Sequence, residues 1–194
     1  GTFGYGEDFS HFFDVSSLGG FVTKAVTPEP RKGNPPPRII ETPSGMLNAI
    51  GLQNDGLEVF VNEILPRIKS LDTVIIVNVA GRTVEDYVTV CSELGRHDSV
   101  KALEINISCP NVKEGAMAFG ATSESASSVI RAVRRSTVKP LIAKLSPNVT
   151  NIAEIARAVE DAGADSISLI NTITGMVINV DSRQPMLANI TGGL

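Results

Sequence analysis

The chain has 194 residues, 17 Lys plus Arg against 21 Asp plus Glu, a formal net charge of −4, and 42% hydrophobic residues. That balance suits a globular domain and excludes disordered or collagen-like chains, while a mildly acidic sequence without a basic run lacks the footprint of a nucleic-acid binder. No apolar stretch approaches the roughly 18 residues of a membrane span, and two Cys with two His argue against a disulfide scaffold or a metal site, so a reducing, cytoplasmic setting is expected.

Residues 20–24 (GFVTK) read as an apolar strand, and residues 27–38, with five prolines, as an irregular loop. A connection of that length is expected to be functional. Leu57, Phe60, Val61, Ile64, Leu65 and Ile68 recur at helical spacing on one face, and Pro66 is expected to kink or tighten the last turn. Residues 73–79 (TVIIVNV) form a β-branched strand. Thr83 is placed to cap a helix with Glu85 and Asp86 in its first turn and Val84, Tyr87, Val88 and Cys91 inward. The strand at 103–107 (LEINI) follows, then a helix capped by Thr122 with Ala126, Val129, Ile130 and Val133 inward. A strand at 140–145 (PLIAKL), a helix marked by Ile152, Ile155, Ala156 and Val159 and closed by Gly163, and a strand at 166–171 (SISLIN) complete the series.

This alternation predicts a parallel sheet with right-handed crossovers. No Gly-x-Gly-x-x-Gly follows a strand, so a dinucleotide-binding open sheet loses its best signal. The expected fold is α/β, a (β/α)8 TIM barrel, as one domain over residues 1–194. Five strands make most of such a barrel, which typically needs about 250 residues. The start without Met or a secretory signal, and the turn-like Thr191-Gly192-Gly193-Leu194, give the expectation of a barrel truncated at both ends.

Barrel chemistry sits at the C-terminal ends of the strands. Lys24, Asn78, Asn106, Lys144 and Asn171 occupy those ends, one per strand, where each apolar run turns polar. Singly, each satisfies backbone groups as easily as it binds a ligand; together they make a cationic, amide-rich mouth for a planar ligand with carbonyl and ring-nitrogen acceptors, or for a carboxylate. Neither paired carboxylates nor a metal ligand set is legible there. Cys109, in a loop just past a strand and before Pro110, is either a small apolar filler or a reactive thiol, whereas Cys91 on an inward helix face is expected to be inert. Arg131, Arg134 and Arg135 read most simply as a solvated helix face.

The segments 45–54 (GMLNAIGLQN), 106–111 (NISCPN), 143–148 (AKLSPN), 170–172 (INT) and 188–194 (ANITGGL) closely resemble the class 1B dihydroorotate dehydrogenase catalytic subunit, in the same order along essentially the whole chain. The resemblance implies an FMN-containing barrel that oxidises dihydroorotate to orotate in pyrimidine synthesis. It implies Cys109 as the catalytic base. Lys24, Asn48, Ala49, Ile50, Gly51, Leu52, Asn106, Asn171 and Thr172 would bind substrate, and Lys24, Ala25, Asn78, Asn106, Lys144 and Ile170 would bind FMN. Asn111 would also reach the substrate. Residues 112–120 (VKEGAMAFG) imply class 1B, hence a homodimer core in a heterotetramer with a partner subunit carrying FAD and a 2Fe–2S cluster, and NAD as electron acceptor. A dihydropyrimidine dehydrogenase-like flavoprotein, a Schiff-base lyase using Lys144, and an inactive fragment with only a binding role are the competing readings.

Overall fold

A computed structural model describes residues 3–107 and 119–194. Its strands are β1 (Phe21–Val22), β2 (Ile39–Thr42), β3 (Gly45–Asn48), β4 (Ile75–Val79), β5 (Val100–Asn106), β6 (Leu141–Lys144), β7 (Ser166–Ser168), β8 (Thr174–Gly175), β9 (Ile178–Asn179), β10 (Gln184–Pro185) and β11 (Gly192–Gly193). The α-helices are α1 (Gly56–Val59), α2 (Leu65–Ile68), α3 (Val84–Leu94), α4 (Ser123–Ser136) and α5 (Ile152–Asp161).

β1, β4, β5, β6 and β7 lie side by side in that order, each neighbouring pair parallel. The order follows the chain without reversal, and α3, α4 and α5 pack in sequence against one another over a shared core. A doubly wound sheet would reverse its strand order and carry helices on both faces. The arrangement is therefore that of a (β/α)8 barrel, of which these five strands are a part.

The period of two along each strand divides the sheet's faces. Ile75, Val77 and Val79, Leu103, Ile105 and Ile107, and Leu141, Ala143 and Leu145 are buried in the main core with Val90, Leu94, Val129, Ile130, Val133, Ile155 and Val159 from the helices. The intervening residues, Ile76 and Asn78, Ala102, Glu104 and Asn106, and Ile142 and Lys144, fall on the opposite, inner face.

The helical segment before β4 buries Phe60, Ile64, Leu65 and Ile68 of its expected stripe, with Leu57 and Val61 half-buried against the same core; its last turn tightens to a 3-10 turn at Lys69–Leu71, as expected, and the turn ahead of Pro66 is disturbed as well. Residues Phe60–Ile64 are wound as a π turn, with the Leu65 N–H donating to the Phe60 carbonyl five residues back. Pro66 follows in the first turn of α2, where it has no N–H to offer Asn62. In α3 the buried stripe is Tyr87, Val90, Cys91 and Leu94, turned away from the expected one, with Val84 and Val88 only half-buried. Tyr87 sets this orientation, because its hydroxyl donates to the Asn106 carbonyl at 2.9 Å and ties the helix to the end of β5. Arg134 is not a solvated face residue: half-buried, it donates to the carbonyls of Thr137 (2.5 Å) and Lys139 (2.8 Å) and to Asp165 Oδ2 (3.0 Å).

A second sheet has no counterpart in the expected elements. β2, β3, β11 and β8 form it in that order, all antiparallel, and β9 and β10 pair as a separate ribbon. Leu47, Ala49 and Leu187 make its small core. These segments depart after β1 and after β7, from the C-terminal ends of parallel strands, and so lie over the mouth. β11 fits between β3 and β8 because it is Gly-Gly: a Cβ on Gly193 would overlap Thr172 Oγ1, and one on Gly192 would lie 2.7 Å from the Asn48 carbonyl oxygen. Among the described residues, no helix is long and apolar enough to cross a membrane.

Candidate active site at the mouth of the barrel

On the inner face, apolar residues give way to polar ones toward the C-terminal strand ends. The Cα register pairs Ile76 with Ala102, Asn78 with Glu104, and Asn106 with Lys144. Asn78 is buried, and its Nδ2 donates to Glu104 Oε1 at 2.5 Å. Lys144 Nζ stands 4.0 Å from the same oxygen. Asn78 Oδ1 is buried and has no hydrogen-bond partner among the described residues. Asn106, 7% exposed, accepts at Oδ1 from Asn171 Nδ2 (3.3 Å), so β5 and the segment after β7 meet at this level.

Glu104 is absent from the residues expected at the strand ends, and it corrects the expectation of a purely cationic, amide-rich mouth. It is 4% exposed and lies between an asparagine and a lysine. The alternation of β5 carried the signal: a residue two before Asn106 must share its face.

Lys24 and Asn171 lie just past the strands that were expected to contain them, since β1 ends at Val22 and β7 at Ser168. Backbone bonds fix both positions: the Lys24 N–H donates to the Gly4 carbonyl (2.7 Å) and the Asn171 N–H to the Leu145 carbonyl (2.9 Å). Lys24 is half-buried and Ala25 is buried. Ile170 is 46% exposed, and the half-buried Thr172 donates its N–H to Asn171 Oδ1 (2.8 Å). Asn148 staples this segment, donating from Nδ2 to the Thr172 carbonyl (3.0 Å) and accepting the Thr174 N–H at Oδ1 (3.1 Å).

Residues 48–52 run from the end of β3 across the mouth. Ala49 and Gly51 are buried, while Asn48, Ile50 and Leu52 are half-buried. Gly51 (φ 78°) and Leu52 (φ 56°) are successive left-handed residues, which turn the chain sharply there. The proline-rich loop braces them: Asn34 donates to the Ala49 carbonyl from Nδ2 (2.9 Å) and to the Ile50 carbonyl from its N–H (3.0 Å). Asn54, buried, ties the far end to residues after β1, accepting the Thr27 N–H (3.2 Å) and the Gly56 N–H (2.9 Å) and donating to the Leu52 carbonyl (2.8 Å). Asn48 Nδ2 donates to the Gly193 carbonyl (3.2 Å), and Gly193 abuts Thr172. Asn48 and Thr172 thus flank one short strand.

Cys109 and Asn111 lie outside the described residues, as does the stretch 112–118. The residues on either side of that segment are joined, the Gly120 N–H donating to the Ile107 carbonyl at 2.7 Å. Ile107 and Gly120 therefore both lie at the C-terminal end of β5. Cys91 is fully buried, and burial pushes its thiol well above the ordinary range, so it has no thiolate to react.

Fold and site together define a (β/α)8-barrel protein that gathers Asn78, Asn106, Lys144 and Asn171 at the C-terminal strand ends, beneath an antiparallel roof. The family model described as dihydroorotate dehydrogenase matches residues 1–194. Similar over all 194 residues are the "Dihydroorotate dehydrogenase B (NAD(+)), catalytic subunit" of Bacteroides thetaiotaomicron (56% identical), of Geotalea uraniireducens (53%) and of Desulforamulus reducens (54%). The chain belongs to the dihydroorotate dehydrogenase family. It is covered completely in each comparison and spans 64% of the length of each of these relatives.

Proposed function

We propose that the chain is part of the catalytic subunit of an NAD-linked dihydroorotate dehydrogenase, converting dihydroorotate to orotate in pyrimidine (UMP) synthesis. The observation that carries this reading is the match along the entire chain to relatives so named. The inner-face chemistry supports it. A flavin ring edge offers carbonyl and ring-nitrogen acceptors to ammonium and carboxamide donors, together with one N–H, and the unpartnered Asn78 Oδ1 is an acceptor suited to such a donor. On this reading Lys24, Ala25, Asn78, Asn106, Lys144 and Ile170 hold FMN. When bound, FMN supplies the acceptor for the hydride from C6 of dihydroorotate, and with it for both electrons.

Cys109 takes the C5 proton. Loss of that proton and the C6 hydride leaves the C5–C6 double bond of orotate. Lys24, Asn48, Ala49, Ile50, Gly51, Leu52, Asn106, Asn171 and Thr172 bind the substrate, an ammonium group and amide donors matching its carboxylate and ring carbonyls. Lys144 contributes a fixed positive charge where negative charge develops, already in place when the reaction begins. The electrons pass to NAD through a partner subunit carrying FAD and a 2Fe–2S cluster, in a cytoplasmic heterotetramer built on a homodimer of catalytic subunits.

Product analysis with the protein at the full length of its relatives tests the reading. Orotate from dihydroorotate, with dihydrouracil left unchanged, is the expected result. Uracil from dihydrouracil would move the assignment to a dihydropyrimidine dehydrogenase.

A further inference from the structure

Among the described inner-face residues of the parallel strands, Glu104 is the one carboxylate. It is 4% exposed. Burying a carboxylate is costly unless its partners recover the loss. A fold that needed only volume here would be better served by Gln or Leu. The charge therefore calls for another explanation, and its two partners supply one.

A carboxylate only accepts hydrogen bonds, so it determines which end of the Asn78 carboxamide faces it. The NH2 group must turn toward Glu104 Oε1, at 2.5 Å, which directs Oδ1 elsewhere, to where it is buried and unpartnered among the described residues. The same Oε1 lies 4.0 Å from Lys144 Nζ and holds the ammonium on the inner face. A negative charge at that distance offsets part of the field that Lys144 projects beyond it.

Building on the FMN reading above, we infer that Glu104 is a positioning residue of the flavin site: it fixes the Asn78 carboxamide with its carbonyl left unpaired for an N–H donor, and it holds and partly neutralises Lys144, setting how strongly that lysine favours the reduced, more negative flavin. Glu104 touches neither flavin nor substrate. It acts through the two residues it binds.

The test is the FMN reduction potential and FMN affinity of the full-length protein, wild type against Glu104→Gln and Glu104→Asp. Glu104→Gln keeps an acceptor for Asn78 and removes the charge. It is expected to favour reduction about tenfold, a rise of about 30 mV for a two-electron couple. Glu104→Asp keeps the charge but withdraws it by one methylene. It is expected to weaken FMN binding about fivefold or more and to raise the potential less than Gln does. Because Asp leaves no uncompensated Lys144 charge, it serves if Glu104→Gln does not fold. Variants that melt at lower temperature while potential and FMN affinity stay at wild-type values would overturn the inference, leaving Glu104 as a structural ion pair. A wild-type protein that binds no FMN would overturn the functional reading and this inference with it; flavin bound with unmoved potentials overturns this inference alone.

Discussion

Tyr5 shows how burial at one residue becomes a pH dependence of the whole chain. Its phenol is pushed up to about 12, first by burial and then by the negative charge of Asp55, while its ring packs on Phe60 at a centroid distance of 5.7 Å. The unfolded chain ionises this group near its ordinary value of 10.0. Between those values the unfolded state binds fewer protons than the folded state, so stability falls as pH rises. The contribution is present below pH 10 and is lost on the way through 12. Denaturant melts across this interval are expected to show wild type losing more stability than Tyr5→Phe; identical slopes would remove the claim. Single residues were unevenly legible in the sequence. Asn78, Asn106 and Lys144 stood out because each ends an apolar run. Glu104 did not, because a lone acid inside a strand reads as a solvent-facing position until the helices claim the other face.

At the scale of elements, local chemistry decided where the helices begin. Thr83 accepts the Asp86 N–H (3.2 Å), and Asp86 Oδ2 accepts the N–H groups of Arg82 (2.7 Å) and Thr83 (3.3 Å), closing a capping box at the start of α3. Thr83→Ala is expected to cost about 1 kcal/mol in the unfolding free energy, measured by urea denaturation, with no effect on the mouth. An unchanged midpoint would mean that the box is not formed in solution. The cap was readable from Thr83 and the acids after it, yet the buried stripe of α3 was not, since Val84 and Val88 fit the helical period as well as Val90 and Leu94 do. The roof was unreadable for a different reason. β8 and β11 have two residues each, β11 is Gly-Gly with no strand propensity, and its pairing to β3 joins Asn48 to Gly193 across most of the chain. The β2–β3 hairpin is local, but only tertiary closeness adds β11 and β8 to it.

For the molecule as a whole, the arrangement of layers explains why the site is where it is. Helices cover one face of the parallel sheet and the roof crosses the C-terminal ends, so polar side chains can be concentrated only on the inner face near those ends. The barrel was legible because strand and helix alternate and no phosphate-binding glycine motif follows a strand; the segments 45–54 and 106–111 narrowed it to a family. The edges of the five-stranded sheet are β1 and β7, and the relatives are longer than this chain, of which 64% of their length is spanned. The functional account is therefore best tested on the protein at the length of those relatives.

The most direct measurement is its visible absorption spectrum under anaerobic conditions, before and after dihydroorotate is added. Flavin bands that bleach on addition are expected, with a Cys109→Ala variant that keeps the bands but bleaches about 100-fold more slowly, the loss expected on removing a general base. A colourless protein, or a bound flavin indifferent to dihydroorotate, would contradict the proposed function.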